Sequence, residues 1–152
     1  MLSLRFDVVM LSASPAVTNL NSALCSAMAN RPATQGFPYL AETLRRAGVR
    51  TNTWWLPSMQ SYYDTELGSV VVQSPALLDG MADVPAFDRS ALIAALRADQ
   101  AGHTTFPQFA QRAWRAGVVR WVVDLEQRTC TYFGSGEQTY VEQYAAVDVP
   151  VS

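Results

Sequence analysis

Residues 37–49 read FPYLAETLRRAGV and residues 106–118 read FPQFAQRAWRAGV, identical at seven of thirteen positions with an offset of 106 − 37 = 69. The whole chain has 152 residues, the length of one domain on the usual range of roughly 100–200. A near-repeat displaced by almost half of that length restricts the architecture to two related halves.

The second copy carries the signals for both ends of a helix. Thr105 and Gln108 have the T-x-x-Q spacing of a capping box, and Pro107 falls in the first turn, where a missing N–H costs nothing. Phe106, Phe109, Ala110, Ala113 and Trp114 recur at helical spacing and form one apolar stripe. Gly117 supplies a left-handed stop, after which Val118 folds back on the last turn. The first copy follows the same grammar, with Gly36 as N-cap, Pro38 in the first turn, Phe37, Leu40, Ala41 and Leu44 inward, and Gly48 as terminator. Arg45 stands where the second copy has Trp114.

The flanks repeat as well. Residues 19–32 place Leu20, Ala23, Leu24 and Ala27 on one side, and residues 88–102 place Leu92, Ala95 and Leu96 on one side behind Asp88 as cap. After Gly48 come three β-rich runs, VRTNTWWL, SYYD and GSVVVQ; after Gly117 come VVRWVVDL, TCTYF and QTYVEQY. Tyr63 aligns with Tyr132 at the same offset. These patterns predict a single α+β domain, an internal duplication of a helix–helix–three-stranded antiparallel meander. Its halves, residues 16–73 and 88–147, pack about a pseudo-twofold axis, because a three-stranded sheet with two helices leaves too much apolar surface bare. Residues 74–87 form the connector, and residues 1–15 a poorly ordered or extended start.

The segment FPQF…AGV…WVVDLE…TCTYF, with the helix before it and the weaker first copy, resembles the YdfO-like family of prophage and bacterial genes, sometimes labelled "phage envelope protein". The resemblance spans about residues 16 to 150. It implies a small α+β protein of unknown function and brings no reaction, cofactor or catalytic residue with it.

Bulk properties exclude several classes. A hydrophobic fraction of 49% with 16% charged residues is a globular profile, far from disorder. Net charge is −2, which gives no overall attraction to nucleic acid or an anionic membrane. No apolar run approaches the roughly 18 residues of a membrane span, and the start makes a poor leader with Asp7 inside its apolar stretch. A cytoplasmic location is expected. Cys25 and Cys130 are too few for a disulfide framework and read as small buried hydrophobes.

Site chemistry is thin. His103 is the one histidine, on a loop, and no G-x-S-x-G elbow is present. Scattered His, Cys and carboxylates offer no metal spacing, and no cofactor is implied. GSGEQT at 134–139 lies between strands with no helix after it, so it reads as a hairpin turn rather than a phosphate loop.

Three constellations remain. Asp124 and Glu126, two apart in a strand-turn pattern, share one face and are the candidates for acid–base catalysis, with Tyr132; strand-end acids beside Arg120 and Arg128 are ordinarily solvated. Adjacent Trp54 and Trp55 must point to opposite sides of a strand, as must Tyr62 and Tyr63, and Tyr132 and Phe133. One aromatic of each pair then faces a second sheet surface. Trp54, Trp55, Trp121 and Tyr132 are therefore the candidates for contact with a ligand or partner, against the commoner alternative of core packing. Arg45, Arg46 and Arg50 cluster after one helix and Arg112, Arg115 and Arg120 around its counterpart, a candidate basic surface for nucleic acid, although arginines at helix C-termini also stabilise the helix dipole. The reading that best fits is a non-enzymatic binding or regulatory module whose aromatic-rich strands meet a second copy, another protein or a small ligand.

Overall fold

The computed structural model describes residues 13–32 and 36–150. The expected extension at residues 1–15 lies mostly outside them, and Ser14 already caps the first helix by accepting from the Val17 N–H. The chain runs α1 (Pro15–Asn30), α2 (Gly36–Arg46), β1 (Val49–Trp55), β2 (Gln60–Thr65), β3 (Gly68–Gln73), α3 (Arg89–Gln100), α4 (Phe106–Arg115), β4 (Arg120–Asp124), β5 (Thr129–Phe133) and β6 (Thr139–Gln143). The fold is α+β, and each half supplies two helices and a three-stranded meander.

The capping box at Thr105 and Gln108 forms with both reciprocal bonds, and Asp88 caps α3 through the Ala91 N–H. Gly48 and Gly117 take φ of 94° and 87° at the helix ends, the left-handed conformation that lets the chain turn directly into β1 and β4. GSGEQT is a hairpin turn, closed by the Gly134 N–H on the Gln138 carbonyl.

The two meanders join edge to edge rather than face to face. All six strands form one antiparallel sheet in the order β3-β2-β1-β4-β5-β6. At the junction Thr53 pairs with Val122, flanked by Trp54 with Trp121 and Asn52 with Val123. This register places a local twofold axis through the sheet centre. Its ladder is extended at both ends by matching bonds, Leu56 N–H to the Val119 carbonyl at 2.9 Å and Leu125 N–H to the Arg50 carbonyl at 3.0 Å. Among the described residues two non-glycines have positive φ, Met59 at 54° and Arg128 at 55°; they also stand 69 apart, each ending the tight turn between the first two strands of its half.

The strand faces have different fates. One carries Val70, Tyr63, Asn52, Val123, Cys130 and Glu142 in one row across the sheet, and Val72, Ser61, Trp54, Trp121, Tyr132 and Tyr140 in the next. This face meets the helices: Leu20, Ala41, Leu44, Leu92, Leu96, Phe109 and Ala113 complete one core with it. Burying a Leu or Phe side chain contributes about 1.5–3 kcal/mol, so the helix layer is the main source of stability. No helix among the described residues is long and apolar enough to cross a membrane.

Two expectations about burial are corrected. Cys25 is exposed, because it sits outside the Leu20–Ala23–Ala27 stripe that α1 buries. Phe106 keeps 38% of its surface exposed, since the first residue of α4 overhangs the edge of the packed layer and only leans on Trp54 and Trp121.

Candidate functional site: the open face of the sheet

Alternation along each strand sends every second side chain away from the helices. On that outer face a central row crosses all six strands: Val71, Tyr62, Thr53, Val122, Thr131 and Val141. It is apolar or β-branched throughout, and Val71, Tyr62 and Val141 are each about half exposed, at 53%, 45% and 55%. Above it runs a row centred on Trp55, Arg120 and Phe133; below it a row centred on Asp64, Thr51 and Asp124. No helix among the described residues covers this face.

Arg120 lies across the Phe133 ring at 3.6 Å from its centroid and near Trp55 at 5.5 Å. Cation–π attraction of this kind contributes about 0.5–1 kcal/mol at exposed sites and holds the guanidinium flat against the sheet. Trp55 and Tyr62 wall a shallow groove of about 620 Å³ with Pro57, Ser58 and Gln60.

The residues singled out from sequence divide between the two faces. Trp54, Trp121 and Tyr132 lie on the helix side, where Trp121 and Tyr132 are 4% and 6% exposed. Trp121 stacks between Trp54 and Tyr132 with ring centroids 6.1 and 5.8 Å away, and Phe109 closes over it at 5.6 Å. These aromatics fill the core. Burial raises the Tyr132 phenol well above its ordinary range, with the Cys130 thiol adding to the shift, so it is a poor acid. Trp55 alone of the four looks outward.

Asp124 and Glu126 do not converge with Tyr132. Asp124 stands on the outer face at the end of β4, Glu126 is exposed in the turn, and Tyr132 is on the opposite side of the sheet. One Asp124 oxygen, Oδ1, accepts from the backbone N–H groups of Glu126 and Gln127 at 3.1 and 3.0 Å, the turn-closing role typical of Asp. The three side chains share no pocket.

The arginines do not form one surface either. Arg45 and Arg46 end α2 and Arg50 follows in β1, Arg112 and Arg115 lie in α4 before β4, and the antiparallel run of β1 and β4 sets the two groups at opposite ends of these strands, with Arg120 on the outer face. Sequence reasoning missed the reason two of them are occupied: Glu42, only 7% exposed, binds Arg45 at 2.7 Å and Arg46 at 3.2 Å. The signal was the i, i+3 and i, i+4 spacing from acid to base on one helix. These bonds, above all the one from Arg45, hold the Glu42 carboxyl below its usual range despite burial.

A second concavity of about 400 Å³ opens between the helix ends and includes Arg31, Phe37, Asp99, Thr104 and Phe106. Burial raises the Asp99 carboxyl, with Arg31 and Thr104 pulling the other way. Among the described residues no three His, Cys, Asp or Glu side chains gather where a metal ion would fit.

Comparison with known proteins places this arrangement in a family. Residues 26–143 match the model of a protein of unknown function, DUF1398, a span that runs from the C-terminal end of α1 to the end of β6. Uncharacterized proteins of Mycobacterium bovis and of two Mycobacterium tuberculosis strains are each 67% identical over 135 residues, covering 89% of this chain and 82% of theirs. The chain belongs to the DUF1398 family.

Proposed function

We propose that this protein is a non-enzymatic binding module whose working surface is the open face of the sheet, and that the face takes another protein surface. The observation that carries this reading is the continuous central row of Val71, Tyr62, Thr53, Val122, Thr131 and Val141, whose members Val71, Tyr62 and Val141 are about half exposed while the opposite face carries the core. Antiparallel sheets tolerate a solvated face, but such a face is ordinarily polar. Exposed contiguous apolar patches of several hundred Å² on monomers mark interaction sites. A broad surface six strands wide fits a protein better than a small molecule, which needs a concave site that buries most of it. The correspondence of the halves at an offset of 69 supports descent from one duplicated unit, and we take the likeness to the YdfO-like family as a further expectation of kinship.

The test is site-specific photo-crosslinking in cells. A photoreactive side chain at Tyr62, on the outer face, is expected to give protein adducts, whereas one at Arg112, on the exposed side of α4, is not. Absence of adducts from Tyr62, or adducts from Arg112 alone, would remove the open face as the working surface.

A further inference from the structure

Resting on that reading, we infer that the surface seated on the open face is a second copy of this chain, related by a twofold axis that lies between the two sheets and runs perpendicular to the strands. Such an axis lays each strand antiparallel over its own counterpart. The central row then meets itself, valine and threonine methyls against the same groups, and the upper row of one copy meets the lower row of the other.

Charge selects this arrangement. Among the strand-paired residues of the outer face, Arg120 stands above the central row and Asp64 and Asp124 stand below it. Inverting the rows sets Arg120 over the partner's Asp124, and by symmetry Asp124 under the partner's Arg120, giving two opposite-charge contacts from one operation. A twofold parallel to the strands would instead place Arg120 over the partner's Trp55 and away from Asp124. Packed sheets are rotated by about 30°, but β4 adjoins the sheet centre, so the rotation moves this pair little. Asp124 is prepared for the contact: Oδ1 is held by the turn N–H groups, which fixes the carboxylate and leaves Oδ2 without a hydrogen bond among the described residues. Arg120 makes no ion pair among the described residues, and its guanidinium is already positioned over Phe133.

The area is of the right order. Six strands about 4.8 Å apart and five residues of about 3.3 Å rise make a footprint of roughly 500 Å². Projecting side chains enlarge the accessible area toward the roughly 800 Å² per partner of a stable interface.

Sedimentation of the full chain and of two variants tests the inference. The unmodified protein is expected to be a dimer at about 100 µM, where a contact with Kd of about 1 µM is saturated. Arg120→Asp sets acid on acid twice and Asp124→Arg sets base on base twice, so each is expected to weaken dimerisation at least about tenfold. An equimolar mixture of the two restores both opposite-charge contacts and is expected to recover the dimer, which a merely misfolded variant would not do; circular dichroism checks that each is folded. A monomer at this concentration, a dimer indifferent to both substitutions, or a mixture that stays apart overturns the inference. If the purified protein is monomeric while Tyr62 crosslinks a different protein in cells, the second copy falls and the binding face stands; if Tyr62 crosslinks nothing, both fall.

Discussion

Thr53 and Val122 stand opposite each other on β1 and β4 and are separated in sequence by 69 residues, the interval that also separates Phe37 from Phe106. The local twofold therefore passes between them, and the two halves share their most interior backbone contact. Neither half has a core of its own, since residues from both enter one cluster.

Breaking that contact should unfold both halves together. Proline at Val122, in an interior strand, removes a ladder hydrogen bond and costs about 3 kcal/mol or more. The expectation for Val122→Pro is one cooperative loss of structure, with far-UV and near-UV circular dichroism melting together; a surviving half with native-like signal would contradict a shared core.

The two faces of the sheet should respond differently to loss of tryptophan. Trp121→Ala empties the centre of the aromatic stack and is expected to cost about 3–5 kcal/mol. Trp55→Ala, on the open face with 42% of the residue exposed, is expected to cost under about 1 kcal/mol. Urea denaturation of the two variants gives the comparison.

The cysteines should separate by accessibility. Cys25 is exposed and Cys130 buried, and burial pushes the Cys130 thiol up to about 12, with the Tyr132 hydroxyl only partly offsetting it. Because the thiolate is the reactive species, mass spectrometry after alkylation near neutral pH is expected to show one label on the native protein and two in denaturant.

Stability should acquire an acid dependence at Glu42. Its carboxyl titrates lower in the folded chain than in the unfolded one, chiefly through the hydrogen bond from Arg45. In that window the unfolded state binds more protons, so the contribution is complete above the ordinary glutamate value of about 4.3 and is lost as pH falls through the folded value. The arginine partners are about 40% exposed, which limits the effect to about 1 kcal/mol. Glu42→Gln is expected to lower Tm at pH 7, with the difference from the unmodified protein shrinking as pH falls below the ordinary glutamate value and through the lower folded one.

Gly117 is expected to be the least replaceable glycine. Its φ is 87°, and an added Cβ would lie 2.5 Å from the Ala86 carbonyl oxygen and the Phe87 Cα. These are backbone atoms of the connector, whose Asp88 N–H is bonded to the Ala116 carbonyl at 2.8 Å. Gly80 has φ of 78° with open space around it, so Gly80→Ala carries only the conformational cost of about 1–2 kcal/mol. Gly117→Ala should cost more, by thermal denaturation.

Much of this fold is local in origin, which is why the sequence by itself determined it. The Thr105–Gln108 box, the glycine stops at 48 and 117, and the alternation through Trp54–Trp55 and Tyr62–Tyr63 depend on residues within a turn or two of one another. So do the helix boundaries and the opposed directions of paired aromatics. Tertiary structure alone decided how the halves meet, because the edge of β1 exposes the same backbone groups whatever its side chains are, and pairing with β4 was as compatible with the pattern as stacking face on face. It also decided which aromatic of each pair is buried: strand alternation separates Trp54 from Trp55, but only the position of α4, with Phe109 over Trp121, makes one side the core. For the same reason Asp124 and Tyr132, eight residues apart in sequence, end on opposite sides of one sheet, and the surface left bare belongs to the central row instead.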